Sequence, residues 1–380
     1  MILGIDASRN RSGGAVNHII GIITYFRIEK HGIDHIHLWS YPDLLDKIPD
    51  FPWLSKHSPP ALKKTLLSQL IWQRFMLIKE AQRLCCDLMF DTDAGSISAF
   101  KPYVSMSQDL LNFEKDSTKS YRIGFAWLRL KVLYYVQKNS FRNANGVIFL
   151  TKYSSNVIQK HTGKLTNVRI IPHGIDPGFN KDLKLKNSLR NNVIDCIYIS
   201  PILEYKNHLQ VLDAIFRLRK DGIQIRITLV GDDRTDFGKF VLEKAKEYDP
   251  NAEFIFILGK KNHENLPEIQ SRFDFVIFAS GVENMPITLM ESMLMGLPIA
   301  CSNQGPMPEV LGDAGVYFDP YSVASIYSTL EQLVRNDKLR LNIGKKAKQL
   351  ALNYTWDKCS ENTFSFLEEI GKDFNKNKRK

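Results

Sequence analysis

The chain has 380 residues, 44% hydrophobic and 24% charged, with a formal net charge of +10 and an isoelectric point near 9.2. This is ordinary globular composition with enough apolar material for a buried core, and the length exceeds the roughly 250–300 residues that one core usually holds, so two domains are expected. Basic balance allows nucleic acid, an anionic membrane surface or anionic substrates as partners, and the absence of zinc-finger, RNA-recognition and helix-turn-helix signatures sets nucleic acid aside.

No run of about 18 apolar residues is present, so a spanning helix is not expected. Met1–Asp6 lacks a basic leader region and reads as a first strand rather than a signal peptide. The cysteines Cys85, Cys86, Cys196, Cys301 and Cys359 are odd in number and show no Cys-x-x-Cys spacing. Small buried thiols in a reducing cytoplasm are the expectation, with neither a zinc site nor a disulfide framework.

Short apolar runs alternate with longer amphipathic stretches throughout, which predicts parallel α/β architecture. Ile2–Asp6 reads as a strand, followed by a loop containing Ser12-Gly13-Gly14 and a helix from about Ala15. Two basic amphipathic helical stretches follow, Lys63–Arg83 and Tyr121–Arg142, rich in aromatic and cationic residues. Such helices can rest on an anionic membrane surface or receive a pyrophosphate-linked acceptor, while a packed core face is the plainer reading. Between them lies Val104-Ser105-Met106-Ser107-Gln108-Asp109. Val147–Thr151 and Val168–Pro172 read as later strands of the same half.

The turn formers Pro172–Pro177 and the polar segment Asn180–Asn192 mark a domain boundary. The expected division is 1–177, 178–355, and a closing segment 356–380 that returns to the first domain and ends in the basic tail Lys376–Lys380. A second α/β series then offers strands at Asp195–Ser200, Ile225–Val230, Phe254–Leu258, Phe275–Phe278 and Pro298–Ser302, with helices at Asn207–Arg219 and Ile287–Met295. Ligands of such doubly wound sheets bind beyond the carboxyl ends of the strands.

The most informative stretch is Phe278–Pro320. A strand ends near Ser280, a loop carries Glu283-Asn284-Met285-Pro286, and a helix opens near Ile287. N–H groups at that helix start, with the positive end of the helix dipole, suit a diphosphate. Glu291, one turn in, can accept hydrogen bonds from two adjacent hydroxyls, and Glu283 can reach a neighbouring sugar.

With Gly296-Leu297-Pro298 and the Pro308–Gly315 run behind it, this segment resembles the donor-site signature of retaining glycosyltransferases of the GT-B fold, glycosyltransferase family 4. The resemblance implies two doubly wound Rossmann-like domains facing across a cleft, with an N-terminal acceptor domain and a C-terminal nucleotide-sugar domain. It implies that Glu283 contacts the donor sugar and Glu291 the ribose. The Gly-Phe-Gly common in the family is Asn284-Met285-Pro286 here. Proline has no N–H, so Ile287 and Thr288 are the expected phosphate contacts. Ser200–His208 places Lys206 where the family has its phosphate-binding lysine, without the arginine many relatives carry just upstream. Gly13 and Gly14 match the family's glycine pair near the phosphates, and Gln108 stands where relatives have a histidine beside the sugar. The resemblance is weak between about Leu38 and Phe100, and Tyr354–Asp357 resembles the start of the family's last helix.

The implied activity is metal-free, retaining transfer of a hexose-type sugar from a nucleotide diphosphate to a glycan or lipid-linked acceptor, with no other cofactor. GDP-mannose leads as donor and UDP-sugars follow. Bacterial surface polysaccharide or lipopolysaccharide assembly, at the inner face of the membrane, is the expected setting. The competing readings are a non-catalytic partner subunit and another nucleotide-sugar or glycan enzyme on the same scaffold, such as an epimerase or a phosphorylase-like enzyme.

Overall fold

The computed structural model describes residues 1–11, 13–114, 125–180 and 193–378. Ser12, residues 121–124 that open the second basic stretch, the polar segment 181–192 and Arg379–Lys380 of the tail lie outside the described residues. The chain forms two units, Met1–Gly174 with Thr355–Lys380, and Ile175–Tyr354.

The first unit holds strands β1 (Ile2–Asp6), β2 (His35–Trp39), β3 (Leu54–His57), β4 (Leu88–Asp91), β5 (Tyr103–Met106), β6 (Gly146–Phe149) and β7 (Val168–Ile170). They form one parallel sheet in the order β3-β2-β1-β4-β5-β6-β7. The second unit holds β8 (Ile194–Ile199), β9 (Ile225–Val230), β10 (Ile255–Ile257), β11 (Phe275–Phe278), β12 (Ile299–Ser302) and β13 (Val316–Phe318). These are parallel too, ordered β10-β9-β8-β11-β12-β13. Both sheets follow the doubly wound pattern, and the winding reverses between β1 and β4 and again between β8 and β11.

The strands are apolar on both faces because helices cover both faces of such sheets. Leu3, Ile5, Ile227 and Ile277 are fully buried, as are Val211, Leu212 and Ile215 from the helix His208–Lys220. Each such side chain contributes about 1.5–3 kcal/mol on burial.

The last helix, Trp356–Lys378, packs within the first unit. Its Trp356 ring lies so close to Gly21 and Gly174 that a Cβ on either glycine would come within 2.3 and 2.5 Å of it. Ser360 Oγ donates to the Ile22 carbonyl at 2.7 Å, and Arg169 pairs with Glu369 at 2.6 Å.

Three details depart from the sequence reading. Thr151 is not strand but the N-cap of the helix Lys152–Thr162, with its Oγ1 accepting from Ser154 N at 3.1 Å. Lys376 lies on the closing helix rather than in a separate tail. The stretch Lys63–Arg83 is not one regular helix: a 3-10 turn Pro60–Lys63 precedes a helix Leu66–Ile71, a π-helical turn Trp72–Met76 and a helix Leu77–Arg83. A π turn admits one extra residue, and here it carries Gln73 inward, where Nε2 donates to Asp6 Oδ2 at 2.6 Å.

Candidate active site

In the second unit, the loops after β8 and β11 leave the carboxyl edge of the sheet where its winding reverses. After β8, the 3-10 turn Glu204–Lys206 ends on Asn207, whose φ of 54° lies in the left-handed region that asparagine tolerates better than most residues. Asn207 Nδ2 donates to the Ala279 carbonyl at 2.8 Å, and Gly281 N donates to the Tyr205 carbonyl at 2.7 Å. Tyr198 Oη adds a bond to the Lys206 carbonyl at 2.7 Å. The two loops are thereby fastened together, and the buried Lys206 places its ammonium on Glu283 Oε1. The lysine is not a solvated surface charge.

Asn284 and Met285 are buried in the loop that follows, and Pro286 is the N-cap of the helix Ile287–Leu294. Pro286 supplies no side-chain cap, and the first N–H groups of any helix lack partners within it. Ile287 and Thr288, both partly exposed, therefore turn their N–H groups out of the helix end.

Glu291 sits further along this helix, 1% exposed. Its Oε1 lies 2.6 Å from His263 Nε2, while Oε2 has no hydrogen-bond partner and no solvent contact. Burial raises the carboxyl pKa of Glu291, and the His263 contact works against that shift. The same contact raises the pKa of His263 against partial burial. The imidazole also lies against Phe179, with ring centroids 5.2 Å apart.

The structure thus gathers Lys206 with Glu283, and Glu291 with His263, around one loop and one helix end. Gly13, Gly14 and Gln108 belong to the first unit. Gly13 caps the helix Gly14–Thr24 with φ 65°, which accounts for glycine there. Gln108 follows β5 half-buried, its Nε2 3.3 Å from Met106 Sδ. Sequence reasoning missed His263, whose signal was its place in the loop after β10, and missed Asn207 as the fastener of the two loops. Among the described residues, no three His, Cys, Asp or Glu side chains form a group able to hold a metal ion.

Residues 180–350 match the glycosyl transferases group 1 family. That match covers most of the second unit. Of the curated relatives, O-antigen chain mannosyltransferase B of Escherichia coli is 27% identical over 169 residues, 44% of this chain and 44% of that protein. The chain thus aligns with about half the length of this relative. Sucrose-phosphate synthase of Thermosynechococcus elongatus superposes with a TM-score of 0.76 at 14% identity, covering 99% of this chain and 98% of that one. Anabaena HepE, solved with UDP and glucose, gives 0.73 at 18% identity over 96% and 98%. With both sheets matched, the fold is GT-B, and the group 1 match falls on its second Rossmann-like unit.

Proposed function

We propose that this protein is a retaining glycosyltransferase that moves a hexose from a nucleotide-diphosphate sugar to a glycan or lipid-linked acceptor in bacterial surface polysaccharide assembly. The observation that carries the reading is the pairing of a buried lysine–glutamate contact with a buried, half-unpartnered glutamate at the switch point of the second unit. Such an arrangement suits a diphosphate, a sugar and a ribose in that order. The mannosyltransferase relative favours GDP-mannose as donor, with UDP-sugars next.

In the proposed reaction, Lys206 and the Ile287 and Thr288 N–H groups hold the diphosphate, and Lys206 stabilises charge as the sugar–phosphate bond breaks. The acceptor oxygen bonds to the anomeric carbon on the same face, and its proton passes to the departing phosphate oxygen. Glu283 orients the sugar, Glu291 accepts from the ribose hydroxyls, and His263 holds Glu291 in place. The family resemblance assigns Gly13, Gly14 and Gln108 to the donor as well, and in this reading no metal or other cofactor takes part.

Membrane contact belongs to the same reading, at the inner face of the cytoplasmic membrane. Leu66, Leu67, Ile71, Phe75 and Met76 are all exposed. Lys63, Lys64, Arg74 and Lys79 flank them. No helix among the described residues is long and apolar enough to cross a membrane, so an interfacial seat on anionic lipid is the proposed mode.

Thermal shift against GDP, UDP, ADP, TDP and CMP, comparing wild type with Glu291→Ala, tests the site. A shift selective for one nucleotide and lost in the variant is expected. No shift with any nucleotide would refute the donor-site assignment. The departures at Gln108 and upstream of Lys206 favour one second reading, a non-catalytic partner subunit, which would bind nucleotide sugar without releasing nucleotide diphosphate on any acceptor.

A further inference from the structure

A cavity of about 450 Å³ opens in the first unit beyond the carboxyl ends of β1 and β2, lined by Asn10, Arg11, Tyr41, Asp43, Lys47 and Lys63 among others. That volume accommodates a monosaccharide bearing one charged group. Its cationic side chains outnumber its carboxylate three to one. Lys47, Lys63 and Asp43 are solvent-exposed and have no ion-pair partner among the described residues.

Gln69, on the helix Leu66–Ile71, does not line this cavity but braces residues that do. Its Nε2 donates to the Leu62 and Lys64 carbonyls at 3.0 and 2.9 Å, which fixes the backbone on both sides of Lys63. Its Oε1 accepts from the Arg11 guanidinium and from Tyr41 Oη. Arg11 is further held over the Tyr41 ring, 5.0 Å from its centroid. One half-buried amide thus braces a guanidinium, a phenol and the backbone of a lysine around the same space. The floor is held as well: Asn10 is buried, with Nδ2 donating to the Ala15 carbonyl at 3.1 Å and Oδ1 accepting from Thr92 Oγ1 at 2.7 Å.

We infer that this cavity is a phosphate-recognition subsite for the acceptor, so that the acceptor carries a phosphate ester. A guanidinium with spare N–H groups and two unpaired ammoniums suits a dianion, whereas a single carboxylate would leave excess positive charge. The inference rests on the glycosyltransferase reading for the word acceptor, and the phosphate site itself does not. Lys206 and the Ile287 helix start, the proposed holders of the donor diphosphate, belong to the other unit.

Isothermal titration of the full chain with glucose 6-phosphate, glucuronate, glucose, inorganic phosphate and a short-chain prenyl phosphate tests it. The phosphate ester is expected to bind at least tenfold tighter than glucuronate or glucose, with inorganic phosphate competing. Preference for the prenyl phosphate would identify a lipid-borne group, and preference for the sugar phosphate a glycan-borne one. Lys47→Glu/Lys63→Glu should weaken binding at least tenfold, and Gln69→Leu should weaken it with both lysines present. Nucleotide thermal shifts should be unchanged in all of these. Equal affinity for glucuronate, or unaltered phosphate binding in the charge-reversed variant, would overturn the inference. Loss of the nucleotide shift in that variant would overturn it too, by making the cavity part of the donor site. Failure of the glycosyltransferase reading would instead appear as no nucleotide shift in wild type with phosphate binding intact.

Discussion

Replacing His263 by alanine removes the side-chain partner that the Glu291 carboxylate has among the described residues. A hydrogen bond to a charged group contributes about 1.5–3 kcal/mol. The His263 side chain is 37% exposed, so solvent screening brings the expected coupling to about 1–2 kcal/mol. Both groups have raised folded pKa values, so the native state holds their protons more tightly than the unfolded chain, and the contribution of this pair to stability rises as pH falls. The His263 share is complete below its unfolded value of about 6.5 and disappears as pH climbs through its raised folded value. A double-mutant cycle with His263→Ala and Glu291→Gln, read by urea unfolding at two pH values, measures it. The coupling is expected at about 1–2 kcal/mol near pH 6 and at less than half of that near pH 8.5. Equal coupling at both values, or none near pH 6, would refute the assignment. Glu291→Gln alone should raise stability at high pH, because the buried charge is gone, while nucleotide affinity falls. Stability gained with binding lost is the pattern of an acid retained for its ligand.

The other predictions concern chemistry, acid stability and membrane contact. Lys206→Ala should lower kcat by about 10²–10³, with a much smaller change in donor affinity. Restoration of kcat by adding Glu283→Gln would show that the lysine merely neutralises its neighbour. Burial pushes His173 and His208 down to about 3, so their stabilising neutral forms are complete above about 6.5 and are lost as pH falls below it. Each should cost about 2 kcal/mol at pH 5, and a urea midpoint that stays flat from pH 7 to pH 5 would contradict this. Ile71→Glu/Phe75→Glu should abolish co-sedimentation with phosphatidylglycerol vesicles while leaving the melting temperature within a few degrees. Equal binding of wild type to phosphatidylcholine vesicles would remove the electrostatic part of the argument.

Legibility followed physical range. Ile225–Val230 and Phe275–Phe278 were readable to the residue because each is rich in β-branched or aromatic residues and follows a polar residue, Gln224 or Asp274. Thr151 was misread because a β-branched residue after a strand can extend it or cap the next helix, and only the Ser154 N–H position distinguishes the two. The Glu283-to-Glu291 segment was readable because one loop and one helix turn fix its geometry. His263 was not, being 28 residues from Glu291 and brought to it by the order of strands rather than by local spacing. Lys206 was located from its motif, but its burial depends on Asn207 reaching the Ala279 carbonyl across to the next strand.

The stretch from Leu38 to Phe100, where the resemblance is weakest, is also the stretch that supplies Tyr41, Asp43, Lys47 and Lys63 to the first-unit cavity. The sheet beneath accounts for the coincidence. Strands β1, β2 and β4 bury mostly apolar side chains in register, with Asp6, His37 and Asp91 buried beside them, and the apolar part of that demand is one that many sequences meet. The segment leaving β2 buries Leu44, Leu45 and Ile48, while Asp43 and Lys47 stay exposed and can change without loss of the fold. In the second unit the corresponding loops are tied to one another through Asn207, Tyr205 and Gly281, so a change there moves Lys206 relative to Glu283. A site for a common group, which a nucleotide diphosphate is in the proposed reading, tolerates such ties. The Arg11, Lys47 and Lys63 cluster of the proposed acceptor site is held differently: Gln69 braces Arg11 and the backbone around Lys63, while both lysine side chains stay exposed, so a substitution there changes the charge of the site without moving its loops.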